Sequence, residues 1–256
     1  MMLLAELTWP DFDIRRHHGL VIVPIGAVEP HGPHLPLGAD TMISDYFAHR
    51  LAADLDATIA PTIGYGVATA PQRLGGVFPG VLAISGTTFT HLVTEILTAL
   101  AEHGAQQVVI VNSAIDNLSY LCEAARIVTA TFTDARIMIV AWWDVVGEPF
   151  RNALAAETGV ARTDDHHAGM VESSLTMHIA PGAARPDLAG TDPAVSPARR
   201  FSYDVFPLPP DAATSSGIVY TAHKASAEIG ARVAEQVAHE MTAAVRLEFG
   251  LEAARR

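Results

Sequence analysis

Three short, almost unbroken apolar runs set the fold of this chain: Leu20–Ile25, Val108–Val111 and Arg136–Ala141. A strand with one wet face alternates apolar and polar side chains, whereas a strand covered on both faces stays apolar throughout. Helical periodicity fills the spaces between the runs. It is clearest over Thr88–His103, where Phe89, Leu92, Val93, Ile96, Leu97, Leu100 and Ala101 recur at three- and four-residue steps and Gly104 follows as a stop. Further helices are expected at about Thr41–Leu55, at Leu118–Thr131, around Glu172 and from Ala225 to Phe249, with short strands at Ala57–Pro61 and Val81–Ile84. Buried strands separated by helices predict an α/β fold of three layers: a central, mostly parallel sheet with helices on both faces. With 256 residues, half of them hydrophobic, the chain suits a single domain spanning residues 1–256.

Sheets of this kind bind ligands beyond the carboxyl ends of their strands. The first run leads to Glu29 and His31, the second to Asn112 and Asp116, the third to Trp142, Trp143 and Asp144, so the polar residues of interest share one rim. The densest stretch is Glu29-Pro30-His31-Gly32-Pro33-His34-Leu35-Pro36-Leu37-Gly38-Ala39-Asp40. It supplies carboxylate oxygen and imidazole nitrogen, the donors that divalent metals take. Glu29 and His31 are two apart and point to the same side of an extended chain. Asp40 opens the following helix, where it can fold back toward them or act only as an N-cap. His34 reads equally well as an exposed loop residue.

A second string, Asp164-Asp165-His166-His167-Ala168-Gly169-Met170-Val171-Glu172-Ser173-Ser174, adds two imidazoles and a carboxylate. His167 and Glu172 can converge only if Ala168-Gly169 lies at a helix entry. Asp164 or Asp165 stands ready to orient the His167 ring and stabilise its imidazolium. The plainer alternatives are a solvated histidine pair and a helix-start acid favoured by the macrodipole.

Composition narrows the partners. A net charge of −12, with only 16 Lys and Arg, argues against nucleic acid and anionic membrane. Cys122, the only cysteine, precludes an internal disulfide and is expected to be a small buried residue on a helix. The N-terminus lacks the basic start of a signal peptide and no apolar segment reaches membrane-spanning length, so a cytoplasmic location is expected. Pro186–Pro210 reads as a mobile or oligomer-facing loop. No phosphate-cradling glycine loop follows a strand and no serine elbow is present.

The stretch from Pro24 to Asp40 resembles the signature of the creatininase family of metal-dependent amidohydrolases. The second string resembles that family's His-Ala-Gly-x-x-Glu-[Thr/Ser]-Ser element, and Gly75–Gly80 its Phe-Pro-Gly loop. The resemblance covers roughly Trp9 to Pro181. It implies a homo-oligomer, hexameric in relatives, that binds Zn²⁺ or Mn²⁺, one or two per chain, and hydrolyses an amide or cyclic amide in a small molecule. By the same resemblance, metal falls to Glu29, His31, Asp40 and Asp116, with Glu172 as ligand or close neighbour. His167 and Glu172 carry the acid/base work, while Asp164, His166, Trp142 and Trp143 face the substrate, one of the tryptophans as a lid.

The chain departs from this pattern after its second apolar run. Relatives carry Asn-Gly-His-Gly-Gly-Asn or, in creatininase itself, Asn-Gly-His-Tyr-Glu-Asn; here the residues are Asn112-Ser113-Ala114-Ile115-Asp116-Asn117. Ala114 stands where a ligand histidine is expected and has no donor atom. His166 or His34 can supply the missing nitrogen, the site can work with one metal, or hydrolysis can be lost. With one metal the site can still hydrolyse; two rivals stand beside hydrolysis, a one-metal lyase or isomerase and a silent oligomeric scaffold or binding protein, and where imidazole is missing Mn²⁺ is favoured over Zn²⁺.

Overall fold

The computed structural model describes residues 2–16, 19–67, 78–189 and 221–251. Its frame is a parallel sheet of five strands: β1 (Met2–Leu3), β2 (Leu20–Ile25), β3 (Thr58–Ile59), β4 (Gln107–Asn112) and β5 (Arg136–Ala141), in the order β1-β3-β2-β4-β5. β2 and β4 pair over their full length, from Leu20 opposite Gln107 to Ile25 opposite Asn112. β4 and β5 continue the same register.

Alternate side chains of the strands feed two cores. Leu20, Ile22, Val109, Val111 and Val140 point to one face, where α2 (Ala39–Leu55), α5 (Trp142–Val145), α6 (Glu148–Thr158), α7 (Met170–Ile179) and α8 (Ala227–Phe249) cover them. Val21, Val23, Ile25, Val108 and Ile110 point to the other, against α3 (Gly86–Glu102) and α4 (Leu118–Thr131). This is the three-layer arrangement that the unbroken apolar runs predict. Each buried side chain contributes roughly 1.5–3 kcal/mol through apolar area removed from water.

Four expectations are corrected. The strand at Ala57–Pro61 shrinks to Thr58–Ile59, because Pro24 on the facing edge of β2 has no N–H to donate; only its carbonyl is used, accepting from Ile63 N at 3.0 Å. Val81–Ile84 is no strand, and only Ile84 forms an isolated bridge, to Val67. β5 is an edge strand, so Arg136 is exposed and Ile137, Met138 and Ile139 are only half-buried. Cys122 is exposed, one position round α4 from its buried stripe Leu121, Ala124 and Val128. The sequence reading also passed over α1 (Trp9–Arg15) and α6, both opened by a proline in the first turn. Gly75, Gly76 and Val77 of the glycine-rich loop, and most of Pro186–Pro210, lie outside the described residues. No described helix is long and apolar enough to cross a membrane.

Candidate metal centre

β2 ends at Ile25 and the chain turns back through Gly26–Gly38 into α2. The loop closes on itself through Glu29 N to Leu37 O at 2.9 Å and Ala39 N to Pro36 O at 3.1 Å. Asp40 thus lies in the first turn of α2, whose N-cap is the side-chain-less Gly38, and is buried facing His31. Gly26 makes this possible. A Cβ there would lie 2.4 Å from Thr41 N and 2.7 Å from the Asp40 carbonyl carbon, so the strand exit and the helix start touch through bare backbone.

His31 is 0% exposed. Its Nδ1 lies 3.2 Å from the Glu29 carbonyl, which can only accept, so Nδ1 carries a hydrogen and Nε2 is the nitrogen left to face the carboxylates. That Nε2 lies 3.2 Å from Asp40 Oδ1 and 3.6 Å from Glu172 Oε2. Proximity is not matched by alignment: Nε2 and Asp40 Oδ2 make no hydrogen bond. A buried polar atom without a partner costs roughly 1–3 kcal/mol. Ligand atoms converging on a common point, unbonded to one another, are the arrangement that a cation completes.

The electrostatics agree. Burial disfavours charge on His31, yet the carboxylates of Asp40 and Glu172 hold its pKa well above the ordinary histidine value. Burial, joined by repulsion from Glu29 and Glu172, pushes the Asp40 carboxyl up to about 8, against the attraction of His31. Burial also opposes ionisation of Glu172, but His31, His167 and the Ala168 N–H outweigh it and bring that carboxyl down to about 2. Without a metal, the cluster therefore retains a proton that a divalent ion would replace.

The other half of the centre comes from the entry to α7. Gly169 precedes the helix and Ala168 adopts a left-handed conformation, φ 52°, so the helix-entry condition set by the His167–Glu172 spacing is met. Ala168 N donates to Glu172 Oε2 at 2.6 Å. His167 Nε2 donates to the Pro30 carbonyl at 2.7 Å, and its Nδ1 lies 3.5 Å from Glu29 Oε1. The rings of His31 and His167 are tilted, with centroids 4.4 Å apart. Two groups of donor atoms result, each with its members within 4.8 Å of one another: Glu29, His31 and His167; and His31, Asp40 and Glu172.

Asp165 does not orient His167. Its oxygens accept from Met170 N at 2.5 Å and Val171 N at 3.1 Å, and Thr221 Oγ1 donates to it at 3.2 Å. Its side chain thus satisfies the first two amides of α7, whose N-cap residue is Gly169. Asp165→Ala is expected to cost about 1–2 kcal/mol of stability, the usual value of a capping side chain, read as a lower urea midpoint with an unchanged slope.

His34, legible as a loop residue, is fully buried. Ser173 Oγ donates to the Ala168 carbonyl at 3.1 Å, so His34 Nε2 must donate to Ser173 Oγ at 2.8 Å. Burial, with repulsion from His31, lowers the His34 pKa to about 4 and keeps it neutral. This pair was missed in the sequence, as was Asn117, whose side chain accepts from Val67 N and donates to Gly26 O. The only signal for His34 is its apolar, proline-rich setting.

The remaining expected residues belong to neither donor group among the described residues. Asp116 is half-buried, His166 is exposed, and neither joins a donor group among the described residues. Asp164 ends the short turn Arg162–Asp164. Trp142 belongs to the core, with its indole N–H unpartnered, and the half-buried Trp143 packs edge-on against it at 5.8 Å.

Residues 5–245 match the profile of the creatininase family, described as creatinine amidohydrolase. The chain is 30% identical over 256 residues to a creatinine amidohydrolase of Pseudomonas putida, covering 96% of each. A mycofactocin precursor peptide peptidase of Mycolicibacterium smegmatis is 30% identical over 168 residues, 63% of this chain and 58% of that one. Among solved structures, a manganese creatininase superposes with a TM-score of 0.89 at 27% identity, over 97% of this chain and 98% of that one. A mutant creatininase of Zn–Zn type gives 0.88 at 28% identity, over 96% and 98%. Sequence and a superposition over nearly the whole chain lead to the same place, and the protein belongs to the creatininase family.

Proposed function

We propose that this protein is a metal-dependent hydrolase that cleaves a C–N bond, an amide or cyclic amide, in a small molecule. The observation that carries the reading is the buried His31 Nε2, unbonded and facing two carboxylates. Relatives named for hydrolysis of a cyclic amide and of a peptide support the bond type. The donors, imidazole nitrogen and carboxylate oxygen, fit Zn²⁺ or Mn²⁺. His31 and Asp40 would hold the ion, with Glu29 and Glu172 beside them. When bound, such an ion supplies a Lewis acid and lowers the pKa of water toward neutrality.

The chain's own groups do the rest. Pro30 O fixes the His167 ring through Nε2 and leaves Nδ1 on the side of Glu29. His167 is half-buried and therefore open to substrate, whereas His31 is sealed. We assign His167 the proton donated to the leaving nitrogen, with Glu29 holding the ring in place. Asp116, Asp164, His166 and Trp143 remain candidates for contact with the substrate. Creatinine itself is not proposed, since Asn112–Asn117 lacks the segment that accompanies it in creatininase. A homo-oligomer is part of the proposal and is read by light scattering.

The test is metal analysis of protein purified without chelator, with amine release followed over a panel of small amides. Metal-free, inactive protein would leave the scaffold reading in its place. His167→Ala is expected to lower turnover about a hundredfold or more with metal content unchanged. Loss of metal in that variant would make His167 a ligand instead.

A further inference from the structure

We infer that this chain is built for a single tightly held divalent ion, with Glu172 as the third side chain on it beside His31 and Asp40. The inference rests on the metal-dependent reading above and deepens it. Both donor groups in the centre use His31. An imidazole whose Nδ1–H is committed to a carbonyl has one nitrogen left to give, and His31 Nδ1 is committed to Glu29 O. His31 can therefore complete only one of the two groups.

Geometry decides which. His31 Nε2 lies 3.2 Å from Asp40 Oδ1 and 3.6 Å from Glu172 Oε2, and His31, Asp40 and Glu172 are all at least nine-tenths buried. Two of the atoms there, His31 Nε2 and Asp40 Oδ2, have no other partner. The Ala168 N–H holds Glu172 Oε2 toward the imidazole, so this carboxylate is pre-set on the same side as His31 Nε2. Three protein ligands and an open position is the composition of a catalytic zinc site.

With His31 assigned, the second group is reduced to Glu29 and His167. His167 Nε2 is committed to the Pro30 carbonyl, and its other nitrogen faces Glu29 itself. Ala114, buried at the exit of β4, contributes no donor, and Asp116 joins neither group among the described residues. One carboxylate and one imidazole that already face each other are too few ligands for a second tight site. The Glu29–His167 side is therefore left to the substrate.

The test is calorimetric titration of Zn²⁺ and Mn²⁺ into the chelator-stripped full chain, with elemental analysis after desalting. One equivalent is expected. Glu172→Gln keeps an acceptor for the Ala168 N–H but loses the charge, and should weaken binding at least about tenfold. Asp116→Asn should leave the affinity unchanged. Mn²⁺-loaded wild-type protein, which needs no substitution, should give the paramagnetic resonance signal of an isolated ion. Two tight equivalents, or an exchange-coupled manganese signal, would overturn the inference and leave the hydrolase reading standing. No bound ion would overturn both. Unchanged affinity in Glu172→Gln would remove Glu172 from the ligand set.

Discussion

His31→Ala is expected to abolish tight metal binding. The ring is the one imidazole common to both donor groups, and its Nε2 has no other task in the fold. Substituting groups that merely support a ligand costs about 10–100-fold in affinity, so loss of the shared ligand should cost at least about 100-fold. Stability follows from linkage. At an ion concentration of about 100 times Kd, the wild-type chain gains about 2.7 kcal/mol over its metal-free form, and the variant should lose that gain. The metal-free variant is weakened further, because Asp40 and Glu172 then face each other across a cavity without the cation between them. Elemental analysis and thermal melts with and without chelator read both effects. Full metal occupancy in His31→Ala would sink the whole assignment.

Gly26→Ala should damage stability and metal binding together. The added methyl would lie 2.4 Å from Thr41 N, 2.6 Å from Thr41 Cα and 2.7 Å from the Asp40 carbonyl carbon. All three are backbone atoms, so no side chain can swing aside. Overpacking a core with an extra methyl typically costs 1–3 kcal/mol, and here relief requires the start of α2 to move off β2. Asp40 rides on that turn, so His31 and Asp40 separate together with the packing. The expected result is a drop in the urea midpoint of about 1–3 kcal/mol equivalent or more, with weaker metal binding in whatever folds. A variant with wild-type stability and affinity would show that the strand exit and helix start do not meet as described.

The three apolar runs foretold the sheet because burial on both faces leaves no room for alternation, and β2, α4 and β5 carry the bounds read from sequence. What escaped was governed by context rather than pattern. β3 is short because of a proline on the neighbouring strand, and Cys122 is exposed because a helix stripe one residue away takes the core. The centre divides in the same way. Glu29, His31 and Asp40 lie close enough in sequence for donor chemistry to be visible, and Glu172 announces itself through the adjoining histidines. The His34–Ser173 bond joins residues 139 positions apart, and nothing local marks it. Asp165 was read as a partner of its neighbour in sequence, while its oxygens went to the helix that follows.

The two hydrogen bonds that tie the Gly26–Gly38 loop to α7, from His34 to Ser173 and from His167 to Pro30, span 139 and 137 residues. Their consequence is one of timing. A nascent chain that has made β2 and its loop but not α7 has half a binding site, with the Glu172 carboxylate and the His167 imidazole still to be synthesised. Contacts this distant in sequence form late, after the entropy of closing the intervening loop has been overcome. Loading therefore has to wait for the finished fold, and the choice among cellular metals falls to a shaped cavity rather than to an open peptide. By the same reasoning, a substitution that loosens α7 should loosen the ion with it, and metal exchange is expected to quicken as the amide hydrogens of that helix exchange faster.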